Sequence, residues 1–196
     1  MVVIDSSFIG NFKLGDNINF NLSAAAALYA VRHSTTNGTH ARALCKPICV
    51  TLISIIEALL HDLHRRVQVF TREGVKSIAS GILAYIRAKQ LDKMDHLIGS
   101  ARKHNLLHAE ANFYTELDEL RQVRNRVHIQ NSPPRLEPDE YQVFTPTMVV
   151  RAEIALERVM RALAEHYARP THAGHVEDFQ LPWDTHLGLP ATQPPG

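Results

Sequence analysis

The sequence predicts an all-α domain, an up-and-down bundle of helices with a short irregular N-terminal arm and a flexible C-terminal tail. Apolar residues recur at helical spacing through the middle of the chain, and no alternation of strand and helix patterns indicates an α/β sheet. The 196 residues are 45% hydrophobic and 21% charged, which is ordinary for a domain with its own core. We therefore divide the chain into an arm (1–21), a helical domain (22–169) and a tail (170–196).

Composition also limits the classes of function and location. The formal net charge is +1, whereas nucleic-acid-binding domains usually carry a strong basic excess, so any contact with nucleic acid must come from a local cluster. Cys45 and Cys49 are spaced for one face of a helix, which favours buried thiols over a disulfide. The N-terminus lacks the pattern of a signal peptide, and the apolar run 52–60 is too short to span a bilayer. We expect a cytoplasmic protein without membrane contact.

The first elements are predicted from turn residues and caps. Residues 1–21 mix Gly, Asp and Asn with single apolar residues, which favours an extended arm or a short hairpin. Asn21 or Ser23 is expected to cap a first helix that ends near His33. Pro47 suits the first turn of the next helix, because its missing N–H needs no partner there. This helix should be central, since its apolar residues form a long helical stripe: Ile48, Leu52, Ile55, Leu59 and Leu63.

Four more helices complete the predicted bundle. Thr71 is expected to cap the next, and another covers about 91–104. A helix over about 110–128, the motif helix, is stopped by two prolines after Ser132. Thr145 is the predicted N-cap of the last, which ends near Arg169. The tail is rich in Pro and Gly and lacks periodicity, which predicts flexibility, although Trp183, Phe179 and Leu181 could dock on the body.

The motif helix carries a polar cluster made of Arg121, Arg124, Asn125 and His128. Offsets of three, four and seven residues place all four on one face of a helix. A guanidinium binds phosphate through two hydrogen bonds and keeps its charge. An imidazole exchanges a proton near neutral pH, and an asparagine can orient either group. Together these side chains suit metal-free cleavage of a phosphodiester.

The run from Leu120 to His128 resembles the signature of HEPN-domain ribonucleases, in which an Arg, often followed by a polar residue, precedes a His by four to six residues. Arg121 satisfies this spacing with six intervening residues. Arg124 followed by Asn125 matches the Arg-polar start, but only three residues separate it from the His. Family toxins often carry a Tyr two residues after the His, where this chain has Gln130.

The resemblance, which covers about residues 22–168, implies a fold and an activity. HEPN domains are helical bundles with the motif on a late helix, and their early helix often carries a Ser-x-x-Glu pattern that residues 54–57 match loosely. They form homodimers whose two motifs face a shared cleft. His128 would act on the 2′-OH of RNA, an arginine would hold the scissile phosphate and Asn125 would orient one of them. This implies a metal-independent endoribonuclease without cofactor, of the kind that serves in toxin–antitoxin or defence systems beside an antitoxin or regulatory protein.

Other interpretations stay open. Acids early and bases late in the motif helix also complement the helix dipole. The Arg/His face could then belong to a non-catalytic module that binds a protein or a nucleic acid. The pairs His61/His64 and His104/His108 have spacings that suit a metal, which would indicate a metal-dependent hydrolase. Glu57, within an apolar face, either supports the site by pairing with an arginine of the motif helix or marks the edge of its own helix.

Overall fold

The computed structural model describes residues 1–69, 78–89, 91–127, 139–169 and 176–187 and confirms the all-α class. Two short strands accompany the helices. In chain order the elements are β1 (Val2–Ile4), α1 (Phe12–Ser34), α2 (Gly38–Ala43), α3 (Cys45–Val69), α4 (Ser80–Arg87), α5 (Met94–His104), α6 (Ala111–Asn125), α7 (Glu140–Val143), α8 (Pro146–Tyr167) and β2 (Phe179–Leu181).

Helix α3 is the centre of the fold, as its apolar stripe predicts. It packs against α1, α4, α5, α6 and α8. Both cysteines lie on it as buried free thiols. Its fully buried apolar residues spread around much of the helix, because neighbours cover it on several sides: Ile48, Leu52, Ile53, Ile56, Leu59, Leu60 and Leu63.

The helical segment Gly38–Val69 contains an 18-residue window with a mean hydropathy of 2.0, so it is long and apolar enough to cross a membrane by length and composition alone. The apolar run 52–60 is therefore part of a longer apolar helix, because Ser54 and Glu57 interrupt it only singly. Half of that window is buried inside the protein, and the core helix of a globular fold meets the same criterion. The segment serves here as the core helix.

The predicted irregular arm is wrong for its second part, residues 12–21, whereas Val2–Ile4 is extended. Helix α1 begins at Phe12, where the Asn11 side chain accepts a hydrogen bond from the amide of Leu14. Asn21, proposed as a cap, lies inside the helix. The physical reason is a buried stripe that includes a glycine: Gly15, Ile18, Leu22, Ala25 and Tyr29. A Cβ on Gly15 would lie 2.4 Å from a methyl carbon of Val176, so this close approach requires glycine.

The C-terminal segment 176–187 is docked on the body rather than flexible. Strand β2 pairs with β1 in an antiparallel ladder, with Val2 opposite Leu181 and Ile4 opposite Phe179. Phe179 and Leu181 are fully buried, and Trp183 is 9% exposed. The structure thus confirms the docking alternative for these residues, and the rest of the predicted tail lies outside the described residues. Burial of the inward-facing side chains of both strands, on one face of the ladder, holds the segment in place.

Polar contacts on α8 fasten the same segment. The buried Glu153 carboxylate accepts a hydrogen bond from the Tyr29 hydroxyl, and its second oxygen lies 2.6 Å from Nε2 of His186. One turn later, Oε1 of the buried Glu157 accepts a 2.6 Å hydrogen bond from the Thr185 hydroxyl. Because buried carboxylates require polar partners, these contacts make docking of the segment specific.

Helix α8 begins as predicted, with Thr145 as N-cap and Pro146 at the first helical position. The Thr145 hydroxyl accepts a 2.9 Å hydrogen bond from the amide of Met148. We expect Thr145→Ala to lower the free energy of unfolding by about 1 kcal/mol, because the amide loses its acceptor. Urea denaturation will measure this, with Thr147→Ala, at an exposed position two residues later, as control. Equal losses in both variants would contradict the capping role.

Candidate functional site

The motif helix corresponds to α6. Three residues of its predicted apolar seam are buried, Phe113, Leu117 and Leu120. The prediction was wrong for the fourth, Val127, which lies beyond the end of the helix and is 46% exposed. The helix, however, ends at Asn125 rather than His128. The amides of Arg126 and Val127 bond to carbonyls three residues back, at Val123 and Arg124, which tightens the last turn. His128 lies outside the described residues, so its predicted place on the shared face stays a prediction.

Three predicted site residues come together at the C-terminal end of α6. Arg121, Arg124 and Asn125 line one open cavity of about 400 Å³. Glu57, at the middle of the central helix, lines the same cavity. The remaining wall comes from the chain that leads into α5, residues 92–95. Every predicted site residue that the structure describes therefore borders a single space.

Arg124 forms an ion pair with Glu57 between α6 and α3. The sequence left two alternatives open for Glu57, and the structure has the first, pairing with an arginine of the motif helix. The two side chains are 25% and 30% exposed, so the pair is partly shielded from water. Nη1 of Arg124 also lies 3.4 Å from Oδ1 of Asn125. Nε of Arg124 is buried and has no hydrogen-bond acceptor among the described residues. The guanidinium is thus held in place yet retains an unused donor.

Arg121 has a different partner on its own helix. Its Nε donates a 2.8 Å hydrogen bond to Oδ1 of Asp118, one turn earlier. This hydrogen bond is the main cause that lowers the pKa of the Asp118 carboxyl, which stays ionised at neutral pH. The Arg121 side chain is 22% exposed. Its contact is local and lies near the surface, so little has to rearrange for Arg121 to accept a second anion.

The N-terminus of α5 forms the wall that sequence reasoning missed. Lys93 is the N-cap residue, and it makes no side-chain hydrogen bond to the first turn. The amides of this turn thus lack a side-chain cap, beside the cavity that Met94 and Asp95 line. Uncapped amides at a helix start favour an anion. The missing Ser, Thr, Asp or Asn before Met94 was the sequence signal that could have found this wall.

The cavity is lined by both acidic and basic side chains. The described lining contains three acidic side chains, Glu57, Asp92 and Asp95. It also contains three basic ones, Lys93, Arg121 and Arg124. A phosphate would therefore gain from the cations only where it approaches them more closely than the acids. This balance favours selective placement of one phosphate over bulk attraction of a polyanion.

The histidine pairs do not gather into a metal site in the described part of the chain, where no group of three His, Cys, Asp or Glu side chains has suitable geometry. His61 is exposed, whereas His64 is buried with Nδ1 2.7 Å from the carbonyl oxygen of Leu60. His104 contacts the Tyr85 ring edge, and His108 lies against His166 with ring centroids 3.9 Å apart. The His64 contact is a hydrogen bond to the backbone of its own helix, and the contacts of His104 and His108 are ring packing.

Comparisons of the chain with models of protein families, with curated proteins and with solved structures found no match.

Proposed function

We propose that this protein is a metal-independent endoribonuclease with a HEPN-like bundle, whose site contains Arg121, Arg124, Asn125 and His128. The observation that supports this most directly is the shared cavity, which brings both arginines and the asparagine to one space beside the uncapped start of α5. Guanidinium groups and helix N-termini both bind phosphate in proteins.

The proposed reaction is an internal transfer at phosphorus. His128 removes the proton of a ribose 2′-OH, and the 2′ oxygen attacks the adjacent phosphorus while the bond to the 5′ oxygen breaks. The products are a 2′,3′-cyclic phosphate and a 5′-hydroxyl end. The leaving 5′ oxygen takes up a proton, which His128 of a second copy supplies in a homodimer. No water, metal or cofactor enters this balance.

The arginines hold the negative charge that builds on the phosphate oxygens. Glu57 acts as a positioning residue, because its ion pair orients the Arg124 guanidinium across the gap between two helices. Asn125 lies beside that guanidinium and supports its orientation. The amides at the start of α5 add neutral donors to the same phosphate. The biological role that we propose is a cytoplasmic toxin or defence effector, controlled by an antitoxin or regulatory protein.

Purified protein tests the proposal directly. We expect cleavage of a single-stranded RNA in the presence of EDTA, with cyclic-phosphate and 5′-hydroxyl ends, and no cleavage where one 2′-deoxynucleotide replaces the ribose at the cut. These ends distinguish attack by the 2′ oxygen from attack by water. Inhibition by EDTA, or products with 5′-phosphate ends, would overturn the proposed mechanism.

The working arginine can be identified by separate substitutions. We expect Arg124→Gln to lower the cleavage rate about a hundredfold and Arg121→Gln to lower it less, because the Arg124 guanidinium is held by Glu57 and keeps an unused donor. Single-turnover rates will measure this, and Arg42→Gln on α2 provides a matched control. A larger loss in Arg121→Gln would assign the role to Arg121 instead.

A second candidate is a non-catalytic module that binds a protein or nucleic-acid partner through the same face. It is favoured by the pairing of both arginines with acids, Glu57 and Asp118, as in a structural charge network. This candidate predicts no cleavage of any RNA, while partner binding is lost in Arg121→Gln and Arg124→Gln. Cleavage of RNA in EDTA would exclude it.

A further inference from the structure

A second hollow lies next to the arginine cavity. It has a volume of about 500 Å³ between α4 and α5, and its described lining is Tyr85, Lys89, Leu91, Asp95, His96, Gly99 and Ser100. Asp95 borders both spaces. The two hollows are therefore neighbours on either side of the first turn of α5.

Cations surround the tyrosine of this hollow. Nζ of Lys103 lies 4.0 Å from the centroid of the Tyr85 ring, and Nζ of Lys89 lies 4.9 Å from it. A hydrogen bond from Lys89 is the main cause that lowers the pKa of the Tyr85 hydroxyl. Both lysines are exposed, and neither pairs with a carboxylate among the described residues. Two ammonium groups and a phenol thus converge near a single carboxylate of the described lining, Asp95, and this excess of cations suits a phosphate.

Ser100 provides an independent indication of a ligand. Ser100 lines the hollow and is 3% exposed, and its buried hydroxyl has no hydrogen-bond partner in the described structure. Buried hydroxyls normally have partners. Gly99, one residue earlier, leaves open space, because a Cβ added there would meet no atom within 4 Å. The wall of the hollow therefore combines room for a planar group with an unused donor.

We propose that the hollow beside Tyr85 binds a nucleotide of single-stranded RNA next to the one at the arginine cavity. The phosphate lies between Lys89 and Lys103, the base occupies the open space against Leu91 and Gly99, and the Ser100 hydroxyl bonds to the base edge. This inference rests on the proposed function, since it names the strand form of that substrate. An unpaired base is required because a duplex keeps its bases stacked inside the helix and cannot insert one into a hollow.

Binding of an uncleavable strand tests the hollow apart from catalysis. The probe is a fluorescein-labelled 12-nucleotide 2′-O-methyl oligouridine, measured by fluorescence anisotropy in EDTA. We expect Gly99→Leu to raise its Kd at least tenfold, because the leucine fills the space for the base, while α5 gains helix propensity. The control is Gly38→Leu on α2, where an added Cβ also meets no atom within 4 Å.

The contact with phosphate is tested by removing the positive charges of the two lysines. We expect Lys89→Gln combined with Lys103→Gln to raise Kd about tenfold and to reduce the slope of log Kd against log salt by about 1.4, from two fewer cations near the strand. Lys13→Gln on α1 is the control for loss of an exposed lysine. A 12-base-pair 2′-O-methyl duplex should bind at least tenfold more weakly than the single strand.

The outcomes separate the two proposals. Wild-type affinity in Gly99→Leu, or equal affinity for the duplex, overturns the nucleotide site even if RNA is cleaved. Selective loss of binding in the variants supports the site even if no RNA is cleaved, in which case only the nuclease proposal fails. If the wild-type protein does not bind the oligonucleotide, the inference is wrong whatever the cleavage assay shows.

Discussion

Replacing His128 with alanine is expected to lower the rate of RNA cleavage about a thousandfold, the usual contribution of a positioned proton-transfer group. The loss should exceed that of either arginine variant, because His128 serves both proton transfers in the proposed dimer. Mixing the His128→Ala chain with the wild-type chain should lower the activity by more than dilution if the two copies share a cleft, because a mixed dimer has only one of the two imidazoles that the reaction requires. Single-turnover cleavage and the rate of the mixed sample measure both effects.

Two controls make the His128 result decisive. His40→Ala removes an exposed histidine on α2 and should leave the rate unchanged. Thermal unfolding of His128→Ala should match that of the wild-type protein, which excludes loss of fold as the cause. Undiminished cleavage by a folded His128→Ala protein would remove His128 from the mechanism.

The largest effect on stability is expected from protonation of the buried His64 as the pH falls. Burial lowers its pKa to about 4, from the ordinary value of 6.5. Between these values the unfolded chain binds a proton that the folded protein does not, so the folded state loses stability as the pH falls from 6.5 to 4. A difference of this size corresponds to about 3 kcal/mol. We expect the free energy of unfolding to fall by about this amount across the window.

Urea denaturation at several pH values measures the His64 effect. Carboxylates also titrate in this range, so the contribution of His64 is the difference between the wild-type protein and His64→Gln, whose unfolding should depend less on pH. His61→Gln, at an exposed position on the same helix, should keep the wild-type dependence. A wild-type slope in His64→Gln would show that another group causes the acid sensitivity.

The fold could be predicted where one helix carries its own signal. The stripe of α3 and the Thr145 cap of α8 are local patterns, and both are confirmed. Helix α1 was missed over its first turns because Gly15 and the nearby asparagines disfavour a helix by themselves. What stabilises it is contact with Val176, far along the chain, which sequence periodicity does not report. Strand β2 was missed for the same reason, since three residues make a strand only beside their partner.

The candidate site divides in the same way. Arg121, Arg124 and Asn125 share a cavity because helical spacing places them together, and this was predictable from spacing alone. The pairing of Glu57 with Arg124 depends on how α3 and α6 meet, so the sequence offered it as one of two alternatives. The start of α5 lies at the site only because of tertiary packing, which sequence spacing does not report.

The pairing of β1 with β2 also has a consequence for synthesis of the protein. During translation the strand Val2–Ile4 leaves the ribosome before every described helix, and β2 leaves after all of them. Until then Ile4 and Phe8 lack the cover of Phe179, whose ring centroid lies 5.8 Å from that of Phe8. The nascent chain thus exposes an unpaired strand beside apolar side chains, a surface that chaperones recognise and on which two ribosome-bound copies can aggregate.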